Sequence, residues 1–458
     1  MVDVGIKRAA LIVATLSAFM TPFMGSAVNI ALPSIAGDFQ IDAVLLSWIA
    51  TSYLLASAVF LVPFGRLADI HGRKRVFAWG IVVFTLSSLL CALSSSASFL
   101  IASRIIQGAG SAMIFATGMA ILTSVFPPHE RGRVLGINVA AVYTGLSLGP
   151  VLGGFLTQHV TWRSVFLFNL PMGVAILFLL LWKVDREWAE AKGEAFDWAG
   201  ALIYMAGIIG IMYGISLVPA KTCLWPILFG VLALSGFVLF ETKAKHPVFP
   251  ISLFSSNRVF TFSSLAALIH YSATFAVTFL LSLYLQNIKG YGPQQAGLVL
   301  IFQPLVMAAF SPLAGRLSDR IEPRIVSSAG MGITTLGLLL LTFLQQDSTT
   351  LFIVTVLMLL GFGFALFSSP NVNAIMGSVE KKFYGIASGA VGTMRLLGMM
   401  TSMGIATVIF ALFLGRIQIS PANYPLFMQA IKAAFLIFSG LCLGGTFASL
   451  VRGKLHQK

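Results

Sequence analysis

The chain has 458 residues, 58% of them hydrophobic and only 10% charged, and its 29 Lys and Arg against 15 Asp and Glu give a formal charge of +14. Water-soluble domains carry roughly 45–50% apolar and about 25% charged residues, so a soluble fold is excluded. Basic charge of this size could signal nucleic acid, but the positive-inside bias of membrane proteins produces the same excess, and no nucleic-acid partner is expected.

Apolar runs long enough to cross a bilayer recur along the whole chain. In chain order they cover 9–31, 44–64, 76–94, 99–126, 134–157, 163–182, 198–218, 225–241, 259–285, 295–314, 325–344, 350–370, 385–413 and 427–451. They predict an all-α polytopic membrane protein of fourteen spans. The first run follows Lys7 and Arg8 but is longer than a signal-peptide core and lacks a small-x-small cleavage site, so it is read as span 1. Cys91, Cys223 and Cys442 are odd in number, lie in or near apolar runs and show no metal-ligand spacing. They read as packing residues, and neither a metal nor a cofactor is expected.

Lys and Arg are unevenly shared between alternate loops. One side carries Lys7, Arg8, Arg66, Arg73, Lys74, Arg75, Arg131, Arg133, Lys183, Arg186, Lys192, Lys243, Lys245, Arg258, Arg316, Arg320, Arg324, Lys381, Lys382, Arg452, Lys454 and Lys458. The other carries Arg163, Lys221, Lys289, Arg416 and Lys432. The bias predicts both termini in the cytoplasm. Arg104 and Arg395 fall inside spans.

The chain also repeats itself. Gly65-Arg66-Leu67-Ala68-Asp69 after span 2 returns as Gly315-Arg316-Leu317-Ser318-Asp319 after span 10, and Gly132, Gly136 and Gly145 return as Gly385, Gly389 and Gly398. This predicts a six-span half over 1–190, two inserted spans over 191–245 and a second six-span half over 246–458. Parallel six-helix repeats that share a midplane site are an architecture of secondary transporters. No Gly-x-x-x-x-Gly-Lys-Ser/Thr loop is present to draw on a nucleotide. Gly-x-Ser-x-Gly at 145–149 lies in an apolar helix, which cannot supply the strand-to-helix turn of a hydrolase nucleophile. The chain reads as a transporter and not an enzyme.

Four motifs resemble the major facilitator superfamily, and within it the fourteen-helix branch of drug:proton antiporters. Gly65-Arg66-Leu67-Ala68-Asp69-Ile70-His71-Gly72-Arg73-Lys74-Arg75 is similar to the cytoplasmic loop motif after span 2, and Arg104-Ile105-Ile106-Gln107-Gly108 to the span-4 motif. Gly145, Gly149, Pro150, Gly153 and Gly154 lie in a stretch that resembles the antiporter motif of span 5. Asn29-Ile30-Ala31-Leu32-Pro33, Trp162-Arg163 and Phe168-Asn169-Leu170-Pro171 resemble the fourteen-helix branch. The resemblance implies two six-helix halves plus two extra helices, multidrug efflux by antiport in the cell membrane, and a lipophilic substrate exchanged against protons. One position departs: the branch carries an aspartate five residues before the asparagine matched by Asn29, and this chain has Met24.

The motif residues have physical readings of their own. Gly65 and Gly72 suit a tight turn, and Asp69 can cap a helix N-terminus. The resemblance makes that helix span 13, starting near Tyr384, so Gly65, Asp69, Gly72, Arg73, Gly315 and Asp319 form a cytoplasmic gate latch. Otherwise the basic loop serves only topology. Gly145, Gly149 and Gly153 present a small face for a close neighbour, and Pro150 permits a kink. The second half keeps Gly398 but has Ser402 and Met403 where Gly149 and Pro150 would return. An arginine in a span persists only beside water or acceptors, so Arg104 is either a relay or substrate-orienting group or a snorkelling structural one. Arg395 either lines the cavity or braces span 13. His270, beside Tyr271, is a coupling candidate or a packing residue.

No acid lies in the middle of a span; Asp38 and Glu241 stand at span ends. The deep cavity is therefore expected to be neutral to positive, suited to neutral, zwitterionic or anionic lipophiles. The alternative substrate is an anionic metabolite or lysolipid, with proton coupling left open. The resemblance implies that spans 1, 2, 4, 5, 9, 10, 12 and 13 line the cavity, and the polar and aromatic residues proposed on them are Asn29, Tyr53, Arg104, Asn138, Tyr143, His270, Tyr271, Gln303, Asn371, Asn373 and Arg395. Expected partners are the bilayer, a small-molecule substrate and protons, and the expected state is a monomer.

Overall fold

A computed structural model describes residues 4–243, 254, 257–379, 384–415 and 417–453. Every regular element among them is helical, because a chain in hydrocarbon must satisfy its backbone within itself. Among the described residues, fourteen helical stretches are long and apolar enough to span a membrane. The first half consists of α1 (Val4–Phe39), α2 (Ala43–His71), α3 (Arg73–Ala92), α4 (Ala97–Val125), α5 (Pro128–His159) and a sixth span made of α6 (Arg163–Leu167) and α7 (Asn169–Lys183). The seventh and eighth spans are α8 (Trp198–Ser216) and α9 (Leu224–Glu241). The second half begins with a ninth span formed by α10 (Arg258–Thr274), α11 (Ala276–Leu283) and a π-helical turn at Tyr284–Ile288. The tenth is α12 (Pro293–Leu300) with α13 (Phe302–Arg320). Then come α14 (Pro323–Leu341), α15 (Thr350–Gly377), α16 (Tyr384–Phe413) and α17 (Tyr424–Val451).

Capping residues set several starts. Ser96, Asp197, Asn257 and Thr349 each accept a hydrogen bond from the backbone N–H three residues on. Pro128, Pro293 and Pro323 open α5, α12 and α14, where a missing N–H costs nothing.

The chain divides into two compact units, Met1–Ile35 with Trp48–Phe249 and Ala36–Ser47 with Pro250–Lys458. The inserted α8 and α9 belong to the first unit. Tyr204 Oη of α8 donates to the Ala58 carbonyl of α2 at 2.9 Å. The two inserted helices approach so closely that a Cβ on Gly230 would stand 2.6 Å from the Gly207 oxygen. Beyond its short buried face of Gly230, Phe237 and Glu241, α9 presents Trp225, Leu228, Phe229, Leu232 and Leu239 outward.

The sequence repeat is a structural repeat in each unit. Gly108 of α4 lies against the Tyr53 carbonyl of α2, and Gly361 of α15 lies against the Gln303 carbonyl of α13. Gly145 of α5 lies against the Phe19 carbonyl of α1, and Gly398 of α16 lies 2.6 Å, measured from an added Cβ, from the Leu268 carbonyl of α10. Only residues without a Cβ permit these approaches.

One expectation is corrected. Gly65–Asp69 and Gly315–Asp319 are not in loops; they lie within α2 and α13. Hydropathy registers only the hydrocarbon-crossing part of a helix, and the backbone goes on past it. The tight turn falls at Gly72 alone, at φ +116°, where a side chain is strained.

Candidate functional site

In the first unit, Arg104 is 1% exposed. Its Nε donates to the Ile49 carbonyl at 3.1 Å, and its Nη1 donates to Gln107 Oε1 one turn along α4. Gln107 Nε2 in turn donates to Ser88 Oγ of α3 at 2.7 Å. The guanidinium lies 4.2 Å from the Tyr53 ring centroid, and the Tyr53 hydroxyl shares a 2.8 Å hydrogen bond with Ser111. A desolvated cation–π contact contributes about 2 kcal/mol. No carboxylate touches Arg104 among the described residues, so a full positive charge is held by a carbonyl, an amide and a ring. Snorkelling is ruled out, because the side chain ends inside the helix packing. Arg104 and Tyr53 are thus brought together, and Gln107, Ser88 and Ser111 join them. Gln107 was readable from its motif, while the two serines gave no sequence signal.

The glycine-rich stretch of α5 packs on α1. An added Cβ on Gly149 would meet the Ser26 side chain at 2.6 Å, and one on Gly153 would meet Ala27 Cα at 2.9 Å. Gly154 is buried, and Pro150 sits inside α5. Asn138 Nδ2 donates to the Ala14 carbonyl at 3.1 Å, so it ties α5 to α1. Asn29 is buried in α1 and Tyr143 is half-buried in α5. In the second unit, Ser402 does what Gly149 cannot: its Oγ accepts the Ala276 N–H at 3.0 Å, where α10 gives way to α11. A side chain inserted into the helix ladder is a recognised source of a break.

His270 of α10 is fully buried, and neither ring nitrogen has a hydrogen-bond partner. Its ring centroid is 4.0 Å from that of Phe367 and 4.8 Å from that of Phe364. Arg395 approaches from α16, with its Cζ 5.5 Å from the Tyr271 ring centroid. His270, Tyr271 and Arg395 therefore form one neighbourhood. Gln303 is half-buried on α13, and Asn373 Nδ2 donates to Ser318 Oγ at 3.1 Å.

Asn371 belongs elsewhere, with a residue that the loop-charge reading had placed in the cytoplasm. Arg452 follows directly on α17 and is 1% exposed. Its Nη1 donates to Asn371 Oδ1 at 2.8 Å and Ser263 Oγ at 3.2 Å, and its Nη2 donates to Ser327 Oγ at 3.1 Å. One guanidinium thus joins α10, α14, α15 and the end of α17. Burial pushes Arg452 down to about 10, with Glu322 opposing the shift and Arg324 adding to it, so the group stays charged at neutral pH. Nothing in the sequence separated it from an ordinary topogenic arginine.

At the turn between α2 and α3, Arg73 is buried. Its Nη2 reaches Asp69 Oδ1 at 2.8 Å, and its Nη1 donates to Glu190 Oε1 at 2.8 Å and Ser124 Oγ at 2.7 Å. Gly65 faces the Ala116 Cβ of α4, and Gly315 faces the Ser369 hydroxyl of α15. The side chain of Asp319, and residues 380–383 ahead of α16, lie outside the described residues. The glutamates after α7 were missed, although Asp185, Glu187, Glu190, Glu194 and Asp197 crowd one short linker of an acid-poor chain.

The comparisons with known proteins agree on one family. The Major Facilitator Superfamily profile matches residues 14–402 and, again, 263–456. The chain is 31% identical over 442 residues to the riboflavin transporter RibZ of Clostridioides difficile (strain 630), covering 96% of both chains. It is 34% identical over 404 residues to the cephamycin export protein CmcT of Amycolatopsis lactamdurans, covering 85% of this chain and 82% of that one. It is 32% identical over 414 residues to the multidrug resistance protein Stp of Mycobacterium tuberculosis (strain CDC 1551 / Oshkosh), covering 88% and 76%. The crystal structure of the human organic anion transporter MFSD10 (TETRAN) resembles its fold at a TM-score of 0.65 and 15% identity, over 97% of this chain and 99% of that one. With fourteen apolar helices, an internal repeat and these relatives, the chain is a multi-pass membrane transporter and belongs to the Major Facilitator Superfamily.

Proposed function

We propose that this chain exports lipophilic small molecules from the cell by alternating access of its two units, in the cell membrane and with both termini cytoplasmic. Relatives named for multidrug resistance and cephamycin export support the direction and the breadth. The observation that carries the substrate class is the charge inside the spans. Arg104 is buried with no carboxylate in contact among the described residues, and Met24 stands where the branch carries an aspartate. A neutral, zwitterionic or anionic molecule meets no penalty there, whereas a permanent cation lacks a buried partner. Riboflavin, carboxyfluorescein and ethidium offered to proteoliposomes test this directly. Flux of the first two above that of ethidium is the expected result, and preferential ethidium transport would defeat the proposal. The RibZ likeness favours a second reading, a narrower carrier of one metabolite; riboflavin moving alone among the panel would select it.

Coupling is proposed to run through protons carried by His270, whose bare ring nitrogens leave room for a proton partner once the helices part. Proton flux accompanying substrate should disappear in His270→Gln. Coupling that persists in that variant removes His270 as the carrier.

A further inference from the structure

The linker between α7 and α8 does not simply hang from the helix ends. Residues 187–194 run back across the turn between α2 and α3 and bind it at six points. Glu187 accepts the Lys74 N–H at 2.8 Å and the Arg75 N–H at 3.2 Å, which caps the first turn of α3 from a distant part of the chain. The Arg73 N–H donates to the Trp188 carbonyl at 2.8 Å. Arg73 Nη1 donates to Glu190, the Ala191 N–H donates to the Asp69 carbonyl at 2.9 Å, and Arg66 pairs with Glu194. Gly72, the N-cap of α3, has no side chain with which to cap it, and an added Cβ would strike the Glu187 side chain. The turn and the linker therefore fit each other in both backbone and charge.

We propose that residues 187–194 are a strap that holds the gate turn in shape, and that Glu190 is a positioning residue acting through Arg73 on Asp69. This rests on reading residues 65–75 as a gate. Arg73 grips Asp69 through Oδ1 by both Nε and Nη2. Arg73 itself is steered by three groups: Glu190, the Ser124 hydroxyl and the Trp188 carbonyl. The strap reaches both partners at once, since Ala191, next to Glu190, binds the Asp69 backbone. The inserted pair α8 and α9 is thereby tied to the gate, because only residues 195 and 196 separate the strap from Asp197, the N-cap of α8.

The test uses the full-length chain in lipid nanodiscs, read by amide hydrogen exchange. Glu187→Ala should speed exchange at Lys74 and Arg75 about tenfold, the scale expected for losing a hydrogen bond to a charged acceptor. Glu190→Gln should speed it at Arg73 and Ala191. Glu194→Arg should loosen the strap, and Arg66→Glu with Glu194→Arg should restore slow exchange, which a mere packing role would not do. In riboflavin flux, Glu190→Gln should lower the maximal rate and leave KM unchanged, because the strap touches no substrate. Wild-type exchange at residues 73–75 and 191 in the Glu187→Ala/Glu190→Gln double variant, or no rescue by the charge swap, overturns the strap. If instead Asp69→Ala transports at the wild-type rate while the exchange results hold, the gate reading fails and the strap survives as an anchor for α8.

Discussion

Each unit uses one arginine to bind several helix ends together, and the two do it with opposite chemistry. Arg73 works with carboxylates that remain wet: the Glu190 side chain is 68% exposed and that of Asp69 is 37% exposed. Arg452 works with neutral oxygens of Asn371, Ser263 and Ser327 and is closed off from water. Exposed ion pairs are individually weak and screened by salt. A buried cation held by neutral acceptors is insensitive to salt, and it is costly to leave half-satisfied. The difference suits the two places. The first arginine sits on a turn that the proposed gate must move, and the second sits where four helices of one unit meet and must stay together.

Several substitutions can break or sharpen that contrast. The largest effect is expected from Asn371→Leu, which strands the Arg452 cation and also removes the Asn371 bond to the Ser263 carbonyl. Losing a hydrogen bond to a charged group costs about 1.5–3 kcal/mol, so the second unit should lose stability by at least that much in detergent unfolding. Gly72→Ala should come next. It demands positive φ from a residue with a Cβ, at about 1–3 kcal/mol, and displaces Glu187. Its exchange defect should be confined to the α2–α3 turn. Glu190→Gln should cost less than about 1 kcal/mol in unfolding, and its effect should shrink further at high salt. Arg452→Met should stay milder than Asn371→Leu, because the charge and its desolvation penalty leave together, although the buried Asn371, Ser263 and Ser327 oxygens each lose a donor. Arg452→Lys should be worse than Arg452→Met, since an ammonium keeps the charge without the planar fork that reaches three helices. Equal unfolding defects in Asn371→Leu and Arg452→Met would undo the account of Arg452 as a satisfied buried cation.

Much of the helical layout was readable because a bilayer enforces it. The run 225–241 is nearly the whole of α9, whereas the run 44–64 is only part of α2, which continues to His71. The Gly65–Arg75 motif was visible by its residues, yet its first residues were misplaced in a loop, since charge ends an apolar run without ending a helix. The repeat was legible too, and Tyr53 with Gln303 and Gly145 with Gly398 turn out to occupy matching places. Side-chain roles were less legible. Asn138 and Asn371 were proposed as cavity walls because they are polar residues on helices that line the cavity in the resembled family; in the structure their amides are engaged by the Ala14 carbonyl and by Arg452. Polarity in a span says that a partner must exist and does not say which.

Composition and order along the chain determined that this protein lives in a membrane, which of its segments are apolar enough to cross it and that one residue pattern returns later in the chain. Those properties depend on the transfer of whole segments out of water, a sum over about 20 residues at a time, which sequence records faithfully. Only the tertiary structure decided that Arg104 rests on Tyr53 and Gln107, that Ser402 occupies the break at Ala276, that Arg452 is buried and that an acidic linker grips Arg73. Each of these is a meeting of single polar atoms from helices far apart in the chain. A hydrogen bond depends on tenths of an ångström and on angle, and those are settled by how the helices pack.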